Sequence, residues 1–222
     1  NGRVWGLSAA LMVVAAIGIA RGQGDTRVFV GARLIDPATA TVTEHAVIVV
    51  RDGRVSAVGS AASLKPPSAA AVTDLKGAYV TPGLISAHVH VSDVDGDRPR
   101  AYTEANTLRQ LALFARYGIT TVLSLEGERE PAFAARRAQH TASLTRARLA
   151  LSGSAIAGKT PDEARQMVAT VAALGPDVIK IRVDDNLGTA KKMPEAAWRA
   201  TLDRPKAAKL TLAAHIFYLA DA

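Results

Sequence analysis

The sequence predicts an α/β protein with parallel strands, preceded by an all-β region, on three observations. From Pro82 onward, short β-type runs alternate with helical segments, the pattern of strands joined by crossover helices. From Thr26 to about Thr81 the runs are all β-type and separated by turn signals. The composition, 49% hydrophobic and 21% charged over 222 residues, belongs to a folding chain long enough to bury a sizeable core. Periodicity alone leaves two arrangements open for the second region, a doubly wound sheet or part of a (β/α) barrel.

In the first region Arg27 to Ile35, Ala46 to Val50, Arg54 to Val58 and Tyr79 to Val80 read as strands. Asp52-Gly53 between two of them is a hairpin signal, because both turn positions of a tight hairpin want positive φ. The stretch Lys65-Pro66-Pro67-Ser68-Ala69-Ala70-Ala71 reads as a loop. In the second region the strand Leu84 to Val89 precedes the helix Glu104 to Tyr117, and Ile119 to Leu125 precedes Pro131 to His140. Arg148 to Leu151 then precedes Pro161 to Leu174, Val178 to Val183 precedes Pro194 to Leu202, and Leu210 to Ile216 closes the series as a fifth strand.

Val4 to Ala20 is an apolar run with Arg3 before it and small residues at Gly18 and Ala20, the pattern of a secretory signal. Its length is at the lower edge of what spans a bilayer, so an uncleaved membrane anchor is the alternative for residues 1–24. No later segment is long and apolar enough to span, so a soluble exported protein, periplasmic or extracellular, is expected, with no membrane contact beyond this segment. The chain starts at Asn1 and stops at Ala222 just after a strand, so the sequence reads as an N-terminal piece of a longer protein.

The formal net charge of +7 raises nucleic-acid binding. The densest basic group, Arg129, Arg136, Arg137, Arg146 and Arg148, has no interleaved aromatics, and aromatic residues are 5% of the chain. A solvated helix face explains it better, and no nucleic-acid partner is expected. The absence of cysteine excludes disulfides, thiolate metal sites and cysteine nucleophiles, which leaves any metal to histidine and oxygen donors.

Three strand-end signals point to such a metal. His88 and His90 lie two apart on a strand, which turns both imidazoles to one face while Val89 faces the other. Such a pair can hold one first-row divalent ion such as zinc, though alone it is more often structural. Lys180 interrupts Val178-Ile179-Lys180-Ile181-Arg182-Val183, a parallel strand that should be apolar on both faces. Burial would lower the affinity of its amine for a proton and make it reactive, whereas the bland explanation is an ion pair with Asp184 or Asp185. His215 shares one strand face with Thr211 and Ala213, whose small side chains leave room for an ion. A competing motif, Gly153-Ser154-Ala155-Ile156-Ala157-Gly158-Lys159-Thr160, matches the phosphate-loop pattern. Pro161 argues against it, since Thr160 then reads as an N-cap, Pro161 as the first helical residue and Glu163 as the third residue of a capping box.

Three stretches together resemble the opening of the metal-dependent amidohydrolase superfamily: Val47 to Gly59 (VIVVRDGRVSAVG), Asp74-Leu75-Lys76-Gly77, and Val80 to His90 (VTPGLISAHVH). The similarity is greatest to its imidazolonepropionase-like and prolidase-like branch and runs from about Arg27 to the end. It implies part of a small β-sandwich over 25–81 and the first five βα units of a (β/α)8 barrel over 82–222. It also implies two divalent metals, with zinc expected: His88 and His90 on the first, a CO2-derived carbamate on Lys180 bridging both, and His215 on the second. Tyr218 is implied as a substrate contact. A small amide, dipeptide, Xaa-Pro or cyclic amide substrate is implied, and self-association into a homo-oligomer is compatible with it. Ser86 stands where relatives often carry aspartate, at a position that is not a ligand. The family's sixth-strand histidine and eighth-strand aspartate, the general base, have no counterpart here and would lie beyond Ala222, so this chain alone is expected to be inactive. The competing expectation is an exported, non-catalytic remnant or binding protein.

Overall fold

The computed structural model describes residues 25–68, 70–95, 102–202 and 209–221. The expected export segment, Val4 to Ala20, lies outside the described residues. Among those described, no helix is long and apolar enough to cross a membrane.

The first region forms one sheet from β1 (Thr26–Asp36), β2 (Thr41–Arg51), β3 (Arg54–Ser60), β4 (Ala71–Asp74) and β5 (Tyr79–Val80). The order is β3-β2-β1-β4, with β5 also paired to β1. Asp52 and Gly53 adopt φ of 50° and 72° in the two-residue turn that sets Arg51 opposite Arg54, as the hairpin signal requires. Val28, Val47 and Val49 form the buried centre of the sheet. The sequence reading missed β4, whose four side chains are all exposed, so that it has no apolar pattern and is held by parallel pairing of Arg27 to Val30 with Ala71 to Asp74. β2 likewise starts earlier than its apolar run, with Thr41 to Thr43 in register with β1.

The second region runs β6 (Leu84–Val89), α1 (Glu104–Arg116), β7 (Ile119–Ser124), α2 (Glu130–Arg137), β8 (Arg148–Leu151), α3 (Pro161–Ala173), β9 (Val178–Arg182), α4 (Glu195–Arg199) and β10 (Thr211–His215), then a short 3-10 turn over Leu219–Asp221. The strands are parallel, as expected, but fall into two sheets, β6-β7-β8 and β9-β10. The break has a local cause. Gly153, at φ 75°, turns the chain out of β8, and the ladder resumes at Ile156, whose amide donates to Lys180 O (2.8 Å) while its carbonyl accepts from Arg182 N (2.9 Å). Among the described residues no closed barrel forms, β6 and β10 each being paired along one side.

One apolar core, with Val91, Leu111, Val122, Phe133, Leu149 and Leu151, lies under α1 and α2. A second, with Ile156, Val168, Val171, Ile179, Ile181 and Met193, lies under α3 and α4. Each such side chain contributes about 1.5–3 kcal/mol when fully buried. Thr160 caps α3, its Oγ1 accepting from Glu163 N at 3.2 Å, and Glu163 Oε2 accepts from Lys159 N at 2.8 Å. Lys159 and Thr160 therefore precede the helix, with Thr160 the N-cap read from Pro161 rather than part of a phosphate loop. Glu163 meets the amide of Lys159 instead of the Thr160 amide that a capping box would use. Most of the basic group is committed locally: Arg136 pairs with Asp177, Arg137 with Glu130, and Arg129 stacks on Tyr102.

Candidate metal centre

Gly83 sets the start of β6 hard against β7, since a Cβ there would lie 2.1 Å from Oγ1 of Thr120. Five residues on, the strand delivers His88, with His90 just beyond its C-terminal end, their ring centroids 5.2 Å apart and planes tilted by 57°. Lys180 sits in β9 between Ile179 and Ile181 and is 2% exposed. Register places Lys180 beside Ala213 and Arg182 beside His215 of β10. The affinity of His88 for a proton is lowered by burial and then by the positive fields of Lys180, His90 and His215. His88 thus feels the Lys180 amine and the other two imidazoles, which the chain brings from β9, the end of β6 and β10.

Burial also holds the Lys180 amine below its ordinary proton affinity, against the raising influence of Glu126, Glu128 and Asp184 and with that of Arg182. The bland explanation for this lysine does not hold. Among the described residues the Lys180 amine makes no ion pair or hydrogen bond, and both aspartates have other partners. Asp184 Oδ1 accepts from Asn186 N at 2.6 Å, and its Oδ2 lies 3.3 Å from His215 Nε2. Asp185 accepts from the Tyr218 hydroxyl at 3.1 and 3.3 Å, which raises the phenol above its usual range. Tyr218 is further covered by Lys192, whose amine lies 4.8 Å from the ring centre and pairs with Asp221 at 2.7 Å.

Among the described residues no three His, Cys, Asp or Glu side chains converge closely enough to hold a metal by themselves. The donor set here is instead an imidazole pair, a third imidazole and a buried amine. Such a set suits a divalent ion once the amine becomes an anionic oxygen donor by adding CO2, which only the neutral amine does.

The sequence reading missed Glu128, which is 3% exposed and joins the ends of three strands. It accepts from Ser124 Oγ of β7 (2.5 Å), and from Ser152 Oγ (3.2 Å) and Gly153 N (2.8 Å) beyond β8. Ser124 Oγ in turn accepts from Val91 N (2.8 Å), the residue after His90. The available signal was Glu126-Gly127-Glu128 directly after a strand, with serines at the ends of that strand and the next. A cavity of about 690 Å³ opens beside His90, walled by Ser92, Gln110, Leu113 and Phe114.

No family model matches the chain. An enamidase of Eubacterium barkeri is 36% identical over 83 residues, 37% of this chain and 20% of that protein. A dihydroorotase of Geotalea daltonii is 43% identical over 63 residues, 28% of this chain and 14% of that protein. Over these stretches the chain is similar to amidohydrolase-superfamily enzymes. Its fold agrees: a putative prolidase from Bifidobacterium longum superposes with a TM-score of 0.74 at 24% identity over 86% of this chain and 49% of that one. Molinate hydrolase superposes with a TM-score of 0.73 at 20% identity over 87% of this chain and 54% of that one. The chain spans about half the length of the solved structures that it matches.

Proposed function

We propose that the protein is a metal-dependent hydrolase of amide or related C–N bonds, with His88, His90, Lys180 and His215 as the ligand set. The observation that carries this reading is the buried, unpaired Lys180 amine of β9, whose charge acts on His88 at the end of β6 together with His90 and with His215 of β10. Lys180, held toward its neutral form by burial, would add CO2 and present a carbamate. His88 and His90 would hold one ion and His215 a second, with zinc favoured by the mix of nitrogen and oxygen donors. Two divalent ions held there would polarise the scissile carbonyl and acidify water. Asp184 would orient His215, and Tyr218 would contact the substrate from beyond β10.

In this reading residues 25–81 are part of a β-sandwich, 82–222 are the first five βα units of a (β/α)8 barrel, and 1–24 carry the chain out of the cytoplasm. The substrate is a small amide, in keeping with the prolidase and dihydroorotase named among the similar proteins.

Zinc titration of the chain, with 13C-bicarbonate NMR of the lysine carbamate, tests the reading. Saturable zinc binding and a carbamate signal are expected, and both should be lost in Lys180→Met. Undiminished zinc affinity in Lys180→Met and in His88→Ala/His90→Ala would overturn it. With a panel of dipeptides and lactams, the zinc-loaded chain alone is expected to give no turnover above zinc alone.

A further inference from the structure

A charged pair at the same rim is not accounted for by metal binding. Arg182 ends β9 two residues after Lys180, so strand alternation turns both to one face, with Arg182 nearer the C-terminal end. A guanidinium offers five N–H donors. Among the described residues only Nη2 is engaged, donating to both oxygens of Glu126 at 2.7 and 2.8 Å. That is an end-on contact, not the fork in which two nitrogens meet two oxygens. Arg182 Nε is enclosed and makes no hydrogen bond among the described residues. An unmatched buried donor is costly, and a ligand oxygen would relieve that cost.

Glu126 is itself held under strain. Its φ of 108° is unfavourable for any residue with a side chain, and its amide is fixed by Ser152 Oγ at 2.9 Å. Glu126 and Arg182 face a cavity of about 360 Å³ whose other walls are small: Gly127, Ser154, Ala155 and Ala157. The cavity thus combines an under-used cation, an internal carboxylate lying on it and room for a group of a few heavy atoms.

We infer that this cavity is a subsite for a carboxylate on the substrate, bound by Arg182, with Glu126 occupying the guanidinium until an acid displaces it. The inference deepens the C–N hydrolase reading and rests on it for the identity of the ligand as substrate. It narrows the class to amides that carry a free carboxylate, N-acyl amino acids and peptides, rather than neutral amides.

Titration of the 222-residue chain by NMR, in buffer containing a chelator, with N-acetylglycine and with its neutral counterpart N-acetylglycinamide, tests this. The acid is expected to bind roughly tenfold more tightly than the amide. Arg182→Met is expected to abolish that preference. Glu126→Gln, which removes the internal competitor, is expected to tighten the acid by roughly threefold. Equal binding or no binding of the two compounds by the unaltered chain would overturn the inference. So would a Glu126→Gln chain that weakens the acid as Arg182→Met does, since the pair would then be a structural tie between β9 and the loop after β7. These readings need no metal, so failure of the metal centre and failure of this subsite are separable outcomes.

Discussion

Nε2 of His215, the last residue of β10, lies 3.3 Å from Oδ2 of Asp184, two residues beyond β9. That oxygen accepts no hydrogen bond among the described residues, so the approach becomes an ion pair only when the imidazole is protonated. Oδ1 is fixed by Asn186 N at 2.6 Å, which holds the carboxylate in place as an orienting partner for the ring. Asp184→Asn keeps an acceptor for Asn186 and removes the charge. Its zinc affinity, measured by competition with a chromophoric chelator, should fall by about tenfold to a hundredfold. Unchanged affinity would remove Asp184 from the support of the centre.

Lys180 opposes folding, because its charged form is disfavoured where it sits. Lys180→Met, apolar and of similar length, should therefore leave the metal-free chain as stable as before or more stable by about 1 kcal/mol. A folded-state proton affinity below the ordinary value of 10.5 means that the folded chain binds fewer protons there than the unfolded chain. The penalty is complete below the folded value and vanishes above the unfolded one. The advantage of the methionine chain in urea unfolding should shrink as pH rises toward 10.5. A large loss of stability instead would mean that the amine is paired.

Glu128 accepts from three donors on two strand ends while almost fully enclosed. Glu128→Gln keeps the shape but turns an amide NH2 toward at least one of those donors. A loss of about 2–3 kcal/mol in urea unfolding is expected, since a buried donor is left unmatched. The chain Glu128–Ser124–Val91 also fixes the backbone beside His90, so zinc affinity should weaken with it. A change under about 0.5 kcal/mol would show that solvent replaces the lost acceptor.

What was legible in the sequence follows what side chains encode. β6 and β8 were read to the residue because Leu84 to Val89 and Arg148 to Leu151 have β-type patterns bounded by turns. Asp52-Gly53 and Thr160-Pro161 were read because positive φ and the pre-proline restriction belong to those residues themselves. The four candidate ligands could be found because histidine and lysine are out of place in apolar strands. β4 could not, as its exposed side chains have no pattern and its pairing is made by backbone alone. The division of the parallel strands into two sheets depends on how Gly153 and Ile156 turn at one point, and no periodicity records that. Glu128 and the Glu126–Arg182 pair were missed because a loop carboxylate reads as solvated until its neighbours are known. Arg182 and Glu126 are 56 residues apart in the chain.

Tyr102 gives a test in the alkaline range. Its hydroxyl donates to Val91 O at 3.3 Å and accepts from Arg129 N at 3.1 Å, tying the segment before α1 to the ends of β6 and β7. Burial, the largest cause, raises its phenol above the ordinary 10.0, with Glu128 and Asp93 acting in the same sense and the Arg129 amide and charge opposing. A raised folded value means that stability is complete below pH 10.0 and is lost as pH climbs through the folded value, because the unfolded chain releases its proton first. Tyr102→Phe loses two hydrogen bonds, so at pH 8 it should be less stable by about 1–2 kcal/mol. It also lacks the titration, so its unfolding free energy should fall less steeply above pH 10.0 and the gap to the unaltered chain should narrow. Urea unfolding of both chains between pH 8 and pH 11 measures this directly. Parallel curves across that range would mean that the phenol ionises as freely in the folded chain as in the unfolded one.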